Sequence, residues 1–145
     1  MNQGDQAPDF TAPDQTGAPV RLFDLLTEGP VVLFFYPKAF TPGCTKESCH
    51  FRDLVTEFAE AGTQRLGISR DGVARQAEFA SQYGLDFPIL SDPDRSIAKL
   101  YGVNRPGPLS NKRKTFVVGT DRRIIDVIGG EFNMDAHADA ALGPC

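Results

Sequence analysis

Cys44 lies where an apolar run gives way to a proline-rich turn, in the segment Phe35-Tyr-Pro-Lys-Ala-Phe-Thr-Pro-Gly-Cys-Thr-Lys-Glu-Ser-Cys-His50. Thr41 can serve as an N-cap and Pro42 as a first helical residue, so a helix is expected to begin just before the cysteine. A helix start offers backbone N–H groups without intrahelical acceptors and a partial positive charge, and both stabilise a thiolate. Cys49 lies further along the same segment. A thiolate made at one cysteine and consumed by the other is the equipment of redox chemistry.

The spacing of the following residues turns into geometry. Phe51, Leu54, Val55, Phe58 and Ala59 recur at the interval of an amphipathic helix, with Gly62 as its expected stop. On a wheel of that period Cys44 falls about 20° from Phe51 and Glu47 about 40° from it, both on the core side. Cys49 falls about 160° away, on the side expected to be exposed. In an intact helix the Cα atoms of Cys44 and Cys49 would lie roughly 8–9 Å apart, beyond the ~7 Å that a disulfide spans. The first turns must therefore unwind before the two sulfurs can join, and Pro42 and Gly43 weaken that end. A core-side carboxylate at Glu47 needs a cation. Arg113, at the edge of a core strand, is the expected partner.

Around this segment the chain reads as alternating strands and helices. Val31–Tyr36 is a continuous apolar run, as in a strand covered on both faces, and Pro37 ends it. Strands are expected at Arg65–Ser69 and Phe87–Leu90, and helices at Val73–Tyr83 and Ser96–Tyr101. Asn104–Asn111 reads as a loop, and Thr115–Val118 with Ile124–Ile128 as an antiparallel hairpin turning at Thr120 and Asp121. The first thirty residues read as turns with short extended pieces, and a last helix is expected from about Asp135. This pattern specifies an α/β domain with a mixed central β-sheet flanked by helices, a single unit over residues 1–145.

Bulk properties narrow the function. A net charge of −4 gives nucleic acid or an anionic membrane no general reason to bind. The basic clusters 112–114 and 122–123 read mainly as solvated charge. The beginning of the chain lacks the pattern of a secretory signal, and no apolar stretch approaches the roughly 20 residues of a membrane span. A cytoplasmic location is expected. Three cysteines do not make a disulfide framework, so a disulfide here is expected to be transient. Cys44, Cys49 and His50 lack a second ligand pair at a useful spacing, so no metal is expected. His137 reads as a surface residue and Cys145 as a terminal thiol without function.

The segment from Phe35 to Asp53 resembles the active-site signature of the peroxiredoxins, and most closely their bacterioferritin-comigratory, or Q-type, branch. The pattern Pro-x-x-x-Thr-x-x-Cys stands as Pro37, Thr41 and Cys44. Ala7–Phe10, Pro13–Gln15, Gly67–Ser69, Phe87–Asp92 and Arg113–Phe116 resemble the same branch in the same order. The resemblance implies a thioredoxin-like fold and thiol-dependent reduction of hydrogen peroxide and organic hydroperoxides, without a cofactor. It makes Cys44 the peroxidatic cysteine, Thr41 and Arg113 the substrate-activating residues, and Pro37 a shield over the sulfur. It makes Cys49 the resolving cysteine, forming an intramolecular disulfide with Cys44. Recycling would come from thioredoxin or a similar dithiol, and many members are monomers.

These residue types suit that chemistry. A thiol of ordinary pKa near 8.5 is only about 3% ionised at pH 7. Bringing it to roughly 6 makes it about 90% thiolate, a gain of ~30-fold or about 2 kcal/mol of barrier. Larger acceleration needs donors aimed at the charge developing on both oxygens. The N–H groups of Gly43 and Cys44, the Thr41 hydroxyl and the Arg113 guanidinium could supply them, and Gly43 has no side chain to obstruct a small substrate. Two other readings remain: a general protein thiol–disulfide oxidoreductase, weakened by the absence of Cys-x-x-Cys, and a non-catalytic holdase or binding module.

Overall fold

The apolar run Val31–Tyr36 is buried throughout because its alternate side chains enter two different cores. Val31, Leu33 and Phe35 join one cluster, and Val32, Phe34 and Tyr36 the other, as the two-residue period of a strand requires. In the computed structural model, which describes residues 1–105 and 111–129, every other element is arranged about this strand. A hairpin of β1 (Thr11–Pro13) and β2 (Pro19–Arg21) precedes a short helix α1 (Leu22–Leu25) and the strand itself, β3 (Val31–Phe35). Then follow α2 (Pro42–Asp53), α3 (Val55–Glu60), β4 (Gln64–Ser69), α4 (Val73–Tyr83), β5 (Ile89–Ser91), α5 (Ser96–Leu100), β6 (Lys114–Val118) and β7 (Ile124–Gly129). The central sheet has the order β5-β4-β3-β6-β7. Strands β3, β4 and β5 run parallel, while β6 is antiparallel to β3 and β7 to β6.

One face of the sheet buries Leu22, Leu26, Ile97, Ala98 and Tyr101, and the other buries Cys44, Phe51 and Phe79. The second face holds α2 in place. Phe34 on β3 and Phe51 on α2 stack with ring centroids 4.2 Å apart and planes 12° from parallel. The site-bearing helix is therefore fixed to the middle strand by its own aromatic contact.

The expected mixed sheet and the helix Val73–Tyr83 are present. The long helix predicted to run to Gly62 is not continuous. It breaks at Leu54, which has φ −89° and ψ 19°, and a separate turn of helix follows. Val55 is 43% exposed there and Ala59 is also exposed, so of the predicted stripe beyond Leu54 only Phe58 packs inward, its ring 5.8 Å from that of Phe51. The β1–β2 hairpin and α1 sharpen the expected turns of the first thirty residues. The predicted last helix, with His137 and Cys145, lies outside the described residues, as do residues 106–110 of the expected loop.

Gly67 is packed tightly against the Phe34 ring. A Cβ there would meet the Phe34 ring at 2.8 Å and Ile89 at 3.0 Å. Gly67→Ala is expected to lower stability by roughly 1–3 kcal/mol through overpacking. A reduced urea midpoint with an unchanged slope would show it, and an unchanged midpoint would refute it.

Candidate active site

The strand register brings distant residues to one end of the sheet. Phe35 pairs with Lys114 across β3 and β6, so Arg113 lies beside the segment that leaves β3. That segment, 36–41, crosses the carboxyl ends of the parallel strands, where open α/β sheets commonly bind ligands. Tyr36 continues the pairing by donating its N–H to the Ile68 carbonyl at 3.0 Å. The chain then turns into α2, with Thr41 as N-cap and Pro42 in the first position.

Cys44 is a free cysteine with no solvent exposure. Its Sγ accepts from Arg113 Nη2 at 3.2 Å and from the Lys38 N–H at 3.5 Å. The first-turn N–H groups of Gly43 and Cys44 have no intrahelical acceptor by the geometry of a helix start. The other arm of the guanidinium, Nη1, donates to Glu47 Oε1 at 2.7 Å. Glu47 has no exposure and Arg113 only 5%, so the pairing expected from the wheel is present in a dry setting. Burial pulls the Arg113 pKa down. The Glu47 carboxylate and the Cys44 sulfur outweigh that, and the pKa lies above its usual value. The guanidinium remains charged and holds the sulfur and the carboxylate at once.

Thr41 occupies the N-cap position, yet its side chain does not cap the helix. Its hydroxyl donates to the Lys38 carbonyl at 2.7 Å. A hydroxyl has one proton, and here Thr41 gives it to that carbonyl, leaving its lone pairs as acceptors. Gly43 is partly buried in the first turn, and Pro37 ends β3 partly buried. The Lys38 N–H on the sulfur carries no sequence signal, because any residue type supplies that group.

Cys49 departs from expectation in its burial. It is 1% exposed rather than on an open face, because Glu47, Ser48, Cys49, His50 and Phe51 are all buried and this stretch of α2 has no solvent side. With α2 continuous from Pro42 to Asp53, joining the Cys44 and Cys49 sulfurs requires the unwinding inferred from the helix geometry. The far half of the helix is held against such motion. Arg65 Nη1 donates to the Phe51 carbonyl and Arg52 Nη1 to the Tyr83 carbonyl, both at 2.7 Å.

Residues 3–127 match the model of the AhpC/TSA family. The crystal structure of peroxidoxin BcpB from Mycobacterium tuberculosis superposes with a TM-score of 0.93 at 56% identity, covering 96% of this chain and 92% of that one. The bacterioferritin comigratory protein of Xanthomonas campestris superposes at 0.83 and 29% identity, covering 90% of this chain and 85% of that one. Peroxiredoxin Q of Arabidopsis thaliana is 41% identical over 98% of this chain and 66% of its own length. The fold is thus thioredoxin-like, as these peroxiredoxins are.

Removing Glu47 takes from the buried Arg113 charge its carboxylate partner. Glu47→Ala is expected to cost about 3–5 kcal/mol of stability and to slow oxidation of Cys44 by peroxide, since Arg113 loses the contact that aims it. Denaturant unfolding together with single-turnover oxidation checks both. A stable variant with wild-type oxidation would contradict the assignment.

Proposed function

This chain belongs to the AhpC/TSA family, and within it to the peroxiredoxins of the bacterioferritin-comigratory and Q kind, a family of thiol peroxidases; from that premise we propose that Cys44 reduces hydrogen peroxide and organic hydroperoxides. The observation that carries this reading is the pair of donors on Cys44 Sγ, from Arg113 and from the Lys38 N–H, at the start of a helix. Both stabilise a sulfur anion, and the guanidinium also lies beside the place where an attacked oxygen arrives. The Xanthomonas campestris relative is described as having alkyl peroxide reduction activity, which supports organic hydroperoxides as substrates here.

In the proposed cycle the Cys44 thiolate attacks the nearer peroxide oxygen. The S–O bond forms as the O–O bond breaks, and the electron pair leaves on the farther oxygen, which takes up a proton and departs as water or alcohol. Cys44 becomes a sulfenic acid. The first turns of α2 unwind, and the thiolate of reduced Cys49 displaces the sulfenic oxygen as hydroxide to form a Cys44–Cys49 disulfide. Thioredoxin or a similar dithiol then donates two electrons and returns both sulfurs to thiols. Arg113 and the first-turn N–H groups stabilise charge on the oxygens, while Thr41 accepts from the peroxide O–H. The cycle is assigned to a monomer in the cytoplasm, with Pro37 limiting access to the sulfur.

Fully reduced protein provides the test. Cys44→Ser is expected to show only background peroxide consumption in an assay coupled to thioredoxin, its reductase and NADPH. Cys49→Ser is expected to consume one equivalent and stop as the sulfenic acid, trapped by dimedone and seen by mass spectrometry. Peptide mapping of peroxide-treated wild type should find Cys44 linked to Cys49. Equal turnover by wild type and Cys44→Ser would end the peroxidase assignment, and Cys44 linked elsewhere would end the assignment of Cys49.

A further inference from the structure

We propose that Asp71 is a positioning residue for the peroxide step, acting through one peptide unit on the Thr41 hydroxyl; the inference rests on the peroxidase reading of Cys44. The peptide between Lys38 and Ala39 is held at both ends. Its N–H, that of Ala39, donates to Asp71 Oδ2 at 2.8 Å, and its carbonyl, that of Lys38, accepts the Thr41 hydroxyl at 2.7 Å. The N–H and C=O of a trans peptide are rigidly opposed, so fixing one direction fixes the other. A carboxylate on the N–H also polarises the carbonyl and strengthens the bond it accepts. The Thr41 proton stays turned away from the substrate, and its lone pairs face the peroxide.

The carboxylate is itself aimed by a buried chain whose directions follow from one backbone carbonyl. Gln76 donates its Nε2 to the Leu90 carbonyl at 2.8 Å, which turns its amide oxygen toward Tyr36. Tyr36 donates to that oxygen at 2.6 Å, and burial raises the pKa of its phenol, so the donor keeps its proton. Gln76 Nε2 also donates to Ser69 Oγ at 3.0 Å, so the Ser69 proton goes to Asp71 Oδ2 at 2.6 Å. Tyr36, Ser69 and Gln76 have no exposure at all. Apart from the Gln76 N–H on the Leu90 carbonyl, the donors run from Tyr36 through Gln76 and Ser69 to Asp71, and Asp71 accepts from the active-site segment.

The backbone beside that peptide is in a conformation that needs such support. Phe40 has φ +66°, a left-handed value that a bulky side chain adopts only when its surroundings enforce it. Its ring packs edge-on against Phe79 with centroids 5.1 Å apart, and the Arg75 guanidinium lies 4.4 Å from its centre on another side. Asp71 holds the N–H of Ala39 just before this turn. Without it, the segment is free to rotate the 38–39 peptide toward a less constrained geometry, and Thr41 loses its fixed acceptor.

The test separates positioning from thiol reactivity and from folding. Rates of Cys44 oxidation by hydrogen peroxide and of alkylation by iodoacetamide are measured on reduced wild type, Asp71→Asn, Thr41→Val and the double variant, with unfolding midpoints for each. Asp71→Asn is expected to lose on the order of 10- to 100-fold in the peroxide rate, with alkylation changed by less than about threefold, because iodoacetamide does not use Thr41. In the Thr41→Val background the same change should cost less than about threefold more, as expected for residues acting in series. Ser69→Ala, which leaves the carboxylate in place but removes one of its donors, should show the same split with a smaller loss and keeps the test valid if Asp71→Asn does not fold. Equal loss in both reactions, or an undiminished effect without Thr41, would overturn the proposal. A wild type whose peroxide rate shows no advantage over a simple thiol of equal alkylation rate would instead remove the peroxidase reading itself.

Discussion

The site depends on one guanidinium. Arg113 places one nitrogen 3.2 Å from Cys44 Sγ and another 2.7 Å from Glu47, and both partners lie on α2, at the same side one turn apart. Such a contact is possible because β6 runs antiparallel to β3 in a register that brings residue 113 to the end of the central strand. Burial makes the arrangement exacting. A charge removed from water needs compensation from partners at hydrogen-bond distance, so sulfur, guanidinium and carboxylate form a unit in which each constrains the other two. The stacked Phe34 and Phe51 rings hold the helix at the distance this unit requires.

Much of this was legible in the sequence, because it follows from periodicity. The run from Val31 to Tyr36, the cap at Thr41 and the position of Phe51 one stripe from Cys44 are enough to place a cysteine at a buried helix start and a carboxylate near a cation. The wheel was less informative about Cys49. It used apolar residues downstream of the cysteine as its reference, and helix α2 is enclosed on every side around Glu47, Ser48, Cys49 and His50. Polar residues do not announce burial to a hydrophobic pattern. For the same reason the pattern passed through Leu54 without detecting the break, which is a backbone event at a residue with ordinary helical preference.

The polar chain from Tyr36 to Asp71 was illegible for a different reason. Its members come from the residue after β3, from α4, from the end of β4 and from the turn after it, and what unites them is the hydrogen bonds that run from one to the next. Gln76 lies in α4, fully buried beside Phe79 and Ala80. A glutamine there is explicable only once the Leu90 carbonyl and the Tyr36 hydroxyl are known to be within its reach. Three-dimensional adjacency of this kind leaves no spacing to read.

The two carbonyl bonds that Arg52 and Arg65 make at the far end of α2 give the helix unequal halves. The half that carries Cys44 begins at a proline and a glycine, and the other half is bolted to α4 and β4. In the proposed cycle, oxidation therefore rewrites the first turns of α2 and the corner of the second core that holds Cys44, while the sheet keeps its shape. A reductant that docks there meets a different relief in each redox state, and can tell spent enzyme from ready enzyme by touch alone.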